Sequence, residues 1–337
     1  MTVPHIGILI PVDPNQAPPP PETRPMGRAA LALRQTGIIP IFGNEVKRRG
    51  AGVWMRGVCA HPGFWETVFM PIHALHDRFP SQGRAAQFHA ILKETQTLPM
   101  GNPPAITWLC RDKKASQEYL TQCGIQMPEI ETDPNRFSTR LQQWGGGFVK
   151  PQFGSLGVGV RFATESTPTP TRIEGVVPGV TEPALLQRAI IPPEGWAGWS
   201  VRVLCQREED HTWFLNPSVL RKSRTDPVVN AARGATVSPG TDDLPPQTTQ
   251  QIMQICSATC AAISNHPDGA MSVELGLDLV IDSKWNAHLI EINSRPRGRL
   301  AVLASLDAER FSAAHIDACA RPIRYLAHQT RCRGTTG

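Results

Sequence analysis

Two short segments near the C-terminal end alternate apolar and polar residues around a break just long enough for a turn, a pattern that fits little other than a hairpin. Over residues 275–282, Leu277, Leu279 and Ile281 fall on one side of an extended chain and Gly276, Asp278, Val280 and Asp282 on the other. Over 288–293, Leu289, Glu291 and Asn293 share one side and Ile290 and Ile292 the other. A four-residue turn at 283–286 pairs Asp282 with Ala287 and, four residues back and four on, Asp278 with Glu291. The two carboxylates then stand about 5 Å apart on one face. Acids that close repel, and burying them unpaired is costly. A divalent cation removes the conflict, and Asn293 adds a neutral oxygen on the same face. A set of hard oxygen donors suits Mg²⁺, which takes one or two carboxylates plus phosphate oxygens and water. A solvent-facing hairpin with scattered acids is the other reading, and the apolar residues of both segments argue against it.

A second feature lies upstream. Gly147-Phe148-Val149-Lys150-Pro151 reads as a strand, with Phe148 and Lys150 on one side. Gly154, Ser155, Gly157 and Gly159 follow in a loop whose glycines permit positive φ and let backbone N–H groups approach phosphate oxygens closely. Val158, Val160 and Phe162 then give an apolar, partly β-branched segment, so the loop joins two strands. It lacks the Gly-Lys-Ser/Thr ending and the following helix of a Walker motif. Taken alone it is at least as well read as an ordinary glycine-rich hairpin with a surface lysine. Taken with the later acids it supplies charge and cradle for a nucleotide triphosphate.

Composition limits the alternatives. The 337 residues suffice for two or three domains, and 40% hydrophobic against 19% charged residues excludes general disorder. A net charge of +5 suits an anionic ligand such as a nucleotide or carboxylate. No lysine/arginine run is interleaved with aromatics and only two tyrosines occur, so nucleic acid is not expected as a partner. No apolar run approaches membrane-helix length, and residues 1–11 read as a buried first strand and not a signal peptide. The eight cysteines form no Cys-x-x-Cys pair; Cys256 and Cys260, one helical turn apart, are expected to pack in a core, and a reducing cytoplasm is the simplest setting.

Along the chain, a strand over 6–10, a helix over 28–35 and a strand over 38–42 predict an α/β N-terminal layer. Helices are expected over 111–122, 136–144, 245–263 and 308–327, with the tail after His328 frayed.

These segments, in this order, resemble the ATP-grasp superfamily, and within it the YheC/YheD type associated with endospore coats. The resemblance covers most of the chain. Asp112-Lys113-Lys114 with Gly124-Ile125 and Pro128 is similar to the helix opening the family's central domain. Phe148-Val149-Lys150-Pro151 and its loop resemble the nucleotide lysine and phosphate flap. Leu185-Leu186-Gln187-Arg188-Ala189-Ile190 is similar to the interdomain strand whose backbone contacts adenine, and Glu194 stands where the family often places a ribose-binding acid. Ser200-Val201-Arg202 resembles the strand offering an arginine to the reaction centre. Val219-Leu220-Arg221, with Val229-Asn230 and Gly234-Ala235, resembles the segment giving a further cation near the γ-phosphate. Gly276-Leu277-Asp278 and Ile290-Glu291-Ile292-Asn293-Ser294-Arg295-Pro296 are similar to the metal strands and the loop after them. Trp65, Phe69-Met70-Pro71-Ile72 and Asp77-Arg78-Phe79 also fit the pattern, whereas His73 and His76 depart from it and are expected to be satisfied structural histidines.

The resemblance implies an α/β N-terminal domain (1–105) followed by a two-lobed α+β ATP-grasp fold, with a central lobe (106–184) and a C-terminal lobe (185–330). It implies an ATP-dependent ligase that joins a small-molecule or peptide carboxylate to an amine nucleophile through an acyl phosphate. ATP and Mg²⁺ are the implied cofactors. Lys113, Lys150, Gly154, Ser155, Gly157, Gln187, Arg188, Ile190 and Glu194 would hold the nucleotide, and Asp278, Glu291 and Asn293 the metal. Arg202, Arg221 and Arg295 would serve the reaction, the last within an arginine loop with Arg297 and Arg299. A small-molecule kinase, or a coat-associated protein that keeps the fold without turnover, are the alternatives, and a homodimer is compatible with all three.

Overall fold

A computed structural model describes residues 3–11, 18–79, 85–153, 157–175, 177–229, 234–296 and 300–333. Their strands form three sheets. The first holds β1 (His5–Leu9), β2 (Ile39–Arg49), β3 (Gly52–His61), β4 (Phe64–Ile72), β5 (Ala74–Asp77) and β6 (Met100–Gly101), in the order β4-β3-β2-β1-β5-β6. β1 runs parallel to β2 on one side and to β5 on the other, so the strand order reverses at β1 and β5. The helix Pro25–Gln35 makes the crossover from β1 to β2. Pro25 at its first turn costs no hydrogen bond, and Gly37, at φ 75°, turns the chain back after it.

The second sheet holds β7 (Ile130–Glu131), β8 (Gly147–Pro151), β9 (Arg161–Ala163), β10 (Arg172–Glu174) and β11 (Thr181–Arg188), with β8 between β9 and β11. The third holds β12 (Gly198–Arg207), β13 (Trp213–Leu215), β14 (Val219–Ser223), β15 (Thr236–Pro239), β16 (Glu274–Ile281) and β17 (Ala287–Asn293), in the order β15-β14-β12-β16-β17 with β13 on β12. Both are antiparallel. The mixed α/β architecture is the expected one.

Packing departs from linear order in two places. The C-terminal helix Ala308–Arg333 returns to the first sheet, where Cys319, Ile323 and Leu326 join Ile6, Ile8 and Leu33 in one core. It continues beyond His328, where fraying was expected. The helices Pro104–Arg111 and Lys113–Gln122 place Ile106, Cys110 and Leu120 in the core of the third sheet, beside Ile252 and Ile263 of the helix Pro246–Asn265. The helix expected over 111–122 is present as Lys113–Gln122, but Arg111 belongs to the preceding helix, which the extended backbone of Asp112 ends. The Asp112 carboxylate caps the second by accepting from Lys114 N and Ala115 N. Cys205, Cys256 and Cys260 meet inside this core, and burial drives the Cys205 thiol well above its ordinary pKa.

Asn102, Arg78 and His76 tie the first sheet to the third. Asn102 donates to the Ser294 carbonyl and accepts from Val273 N (3.0 Å) and Glu274 N (3.2 Å). Arg78 pairs with the buried Glu274 carboxylate, and His76 Nε2 lies 3.2 Å from that same carboxylate. His76 is therefore a core residue where the two sheets meet, and His73 accepts from His5 N at 2.9 Å. Among the described residues no helix is long and apolar enough to cross a membrane.

Candidate active site

The second and third sheets face each other across a cleft of about 370 Å³. β8 and β11 form one wall, and β12, β14, β16 and β17 the other.

On the first wall, Lys150 sits in β8 opposite Leu185 of β11, and its ammonium donates to Gln187 Oε1 at 2.7 Å. The lysine is almost wholly buried, so its charge is poorly solvated. Burial pushes its pKa down to about 8; Glu291 and Asp278 across the cleft pull upward, and Lys113 pushes further down. Lys113 comes from the first turn of its helix, where its backbone N–H donates to Gln152 O at 3.2 Å and the Asp112 cap accepts from Gln152 Nε2 at 2.9 Å. The cap thus fixes the helix start to the end of β8 and sets two buried lysines side by side. Gly145, left-handed at φ 74°, ends the preceding helix Phe137–Trp144 and releases the chain into β8.

On the second wall the register decides the chemistry. β16 pairs with β17 as Ile281↔Ala287, Val280↔His288 and Leu279↔Leu289, and then shifts by one residue to give Asp278↔Glu291. The expected partnership of the two acids is present, by a different route. The ladder closes one residue earlier than the sequence suggests, and a bulge at Ile290 restores the match. The bulge also corrects the expected faces: Leu289 joins Ile292 in the core, while Ile290, Glu291 and Asn293 line the cleft.

Arg202 stands opposite Asp278 on the neighbouring β12. Its guanidinium embraces the carboxylate side-on, Nε to Oδ1 at 2.5 Å and Nη2 to Oδ2. Burial lowers the Arg202 pKa, and Asp278 followed by Glu291 more than restores it. Asn293 Nδ2 donates to Asp278 Oδ2 at 3.0 Å, and Arg221 Nη1 lies 3.8 Å from Oδ1. Burial leaves Arg221 lowered, with Asp278 opposing. Among the described residues no three His, Cys, Asp or Glu side chains gather as a metal cluster; the set here is two carboxylates and an amide.

Other expected site residues are placed differently. Gly157, Arg188 and Ile190 line the cleft, with Arg188 half-exposed and 3.4 Å from Glu129. Gln187 lines it too, and its side chain, not only its backbone, is engaged. Glu194 is exposed in a turn and does not line the cleft. Arg295 lines it, but its guanidinium binds Asp77 and donates to the Phe79 carbonyl at 2.9 Å, so it clamps the end of β5 to the cleft rim. Burial raises the Asp77 pKa, and Arg295 counters that rise. Gly154, Ser155, Asn230, Arg297 and Arg299 lie outside the described residues. The strand expected over 158–162 begins only at Arg161, since Gly157 and Gly159, both at positive φ, keep the chain turning.

Sequence reasoning missed Ser200 and Gly276 as site residues. Ser200 is buried on the cleft face of β12, and among the described residues its hydroxyl has no hydrogen-bond partner. It lies two residues before Arg202, so alternation along the strand was the available signal. In all, Lys113, Lys150, Arg188, Arg202, Arg221 and Arg295 face the cleft against only two described carboxylates, Asp278 and Glu291.

A family model described as YheC/D-like ATP-grasp matches residues 198–327. No curated protein sequence matches the chain. Among solved structures, D-cycloserine synthetase DcsG superposes with a TM-score of 0.57 at 16% identity, covering 96% of this chain and 99% of that one. The D-alanine–D-alanine ligase from Coxiella burnetii gives a TM-score of 0.56 at 13% identity over 100% and 97% of the two chains. VanG D-Ala:D-Ser ligase from Enterococcus faecalis gives 0.55 at 10% identity over 97% and 99%. At these identities the likeness is one of fold. The chain thus shares the overall fold of these ligases, and its residues 198–327 are similar to the YheC/D-like ATP-grasp family.

Proposed function

We propose that the cleft binds ATP with Mg²⁺ and that the protein is an ATP-dependent carboxylate–amine ligase. The observation that carries this reading is the opposition of walls: buried lysines on one side, and on the other two facing carboxylates ringed by arginines. A cleft with six cationic side chains and two acids favours a polyanion, and the paired acids favour a cation that travels with it. The donors are oxygens, which fits Mg²⁺; Asp278, Glu291 and Asn293 would hold it. When bound, the metal would neutralise charge on the phosphate chain.

The chain's own residues would do the rest. Lys150, desolvated and aimed from β8 by Gln187, holds phosphate oxygens, with Lys113 beside it. Arg202 and Arg221 carry the charge of the transferring phosphoryl group, a task of positioning and electrostatics. A carboxylate oxygen of the acid substrate attacks the γ-phosphorus, the bond to ADP breaks, and an acyl phosphate forms. An amine then attacks the acyl carbon, inorganic phosphate leaves with that oxygen, and the amine proton is released. The fold likeness to D-Ala–D-Ala, D-Ala:D-Ser and D-cycloserine enzymes supports ligation over simple phosphorylation.

The test traces ¹⁸O from a labelled carboxylate during turnover with pooled acids and amines. One label in inorganic phosphate is the expected result. A stable phosphorylated product, with no amine consumed, would replace ligation by kinase chemistry.

A further inference from the structure

A glycine occupies the middle of β16, in the run Glu274-Leu275-Gly276-Leu277-Asp278, all of it buried. Its φ is not positive, so the backbone does not require glycine there. Glycine in a strand interior loses packing and conformational order, and often marks a place where another group must come close. Gly276 pairs with Leu204 on one side and Asn293 on the other, and shares the cleft face with Asp278 two residues on.

Two groups come close, Pro296 and Arg202. A Cβ on Gly276 would lie 3.0 Å from Arg202 Nη1, 3.6 Å from Arg202 Cδ and 2.9 Å from Pro296 Cβ. Arg202 presents Nε and Nη2 to Asp278, which leaves Nη1 over the glycine. The guanidinium therefore rests on β16 in the space a side chain would fill. Its side-on grip on Asp278 fixes it there, so it could not move aside for a methyl group without losing part of that grip.

We infer that Gly276 is a positioning residue: it seats the Arg202 guanidinium against β16, in register with Asp278 and facing the phosphate end of the cleft. The inference rests on the proposed nucleotide reading. It gives the Gly-x-Asp spacing of β16 a physical reason, since the glycine clears the path by which the arginine of the next strand reaches the aspartate.

A double-mutant cycle tests it, with calorimetric affinity for a non-hydrolysable ATP analogue and Mg²⁺ as the readout. Gly276→Ala and Arg202→Ala should each weaken binding by about tenfold or more, the scale of a lost hydrogen bond to a charged group. The double variant should bind no worse than Arg202→Ala alone, because the methyl group acts only through the guanidinium. Losses that add would overturn the inference and assign the effect to Pro296, as would an unchanged affinity of Gly276→Ala. Failure of the wild-type protein to bind the analogue would instead remove the nucleotide reading beneath it. Should Gly276→Ala not fold, melting temperatures decide: the substitution is expected to be tolerated once Arg202 is alanine, and failure in both backgrounds counts against the inference.

Discussion

Asp278 and Glu291 face each other across β16 and β17 because Ile290 is bulged out of the ladder between Leu279↔Leu289 and Asp278↔Glu291. Without the bulge Glu291 would oppose Leu277, whose side chain is in the core. One extra residue thus brings two acids together and places Ile290 in the cleft wall.

Replacing Glu291 by Gln keeps the shape and removes one charged oxygen. We expect turnover to fall by about a hundredfold or more, the scale of losing a major electrostatic stabiliser. The loss should be largest at limiting Mg²⁺. A titration of rate against Mg²⁺ checks this, and wild-type behaviour at low Mg²⁺ would remove Glu291 from the metal set.

Arg202 and a cation compete for the same carboxylate. Asp278 is held by Arg202 and Asn293. Arg202→Met should therefore raise the affinity of the nucleotide-free protein for a divalent ion by about tenfold. Electron paramagnetic resonance of Mn²⁺ measures it without any turnover; equal or weaker Mn²⁺ binding by the variant would contradict the competition.

Lys150 predicts a pH dependence with a definite sign. Its folded pKa is lowered to about 8 from an ordinary 10.5. Between those values the unfolded chain holds more protons than the folded one, so ligand-free stability should rise as pH climbs through that window. Nucleotide binding should go the other way. Phosphate favours the charged ammonium, so affinity should fall as pH passes about 8, with proton uptake on binding near pH 8–9. Calorimetry in two buffers of different ionisation enthalpy reads that uptake directly, and Lys150→Met should abolish it.

The Ser200 hydroxyl, without a hydrogen-bond partner among the described residues, sets a stability test. A buried polar group left unsatisfied costs about 1–3 kcal/mol, so Ser200→Ala should be neutral or stabilising by about 1 kcal/mol in the ligand-free protein. A lower urea midpoint for the alanine variant would mean that the hydroxyl has a structural partner.

Local pattern carried much of this. Two-residue alternation marks β8 and the β16–β17 pair, and the break at Gly37, Gly124 and Gly145 marks helix ends, because these depend only on neighbours along the chain. The same locality explains why Lys150 and Asp278 were legible as cleft-facing candidates, whereas the facing of Glu291 depends on the bulge beside it.

Tertiary structure decided what side chains do once distant strands meet. Arg202 and Asp278 are 76 positions apart and Arg295 and Asp77 are 218 apart, and no periodicity reports such pairings. Hence Arg295 proves to be a clamp on β5, Gln187 a side-chain partner of Lys150, and Glu194 an exposed turn residue. The hairpin was read correctly for the pairing of Asp278 with Glu291 and incorrectly for the pairing of Asp282 with Ala287 and for its faces, because a bulge is chosen by the packing of Leu289 and Ile292 against a core that sequence alternation does not display. The need for glycine at 276 is of the same kind. It arises from a guanidinium that another strand lays across it, and so exists only in the assembled sheet.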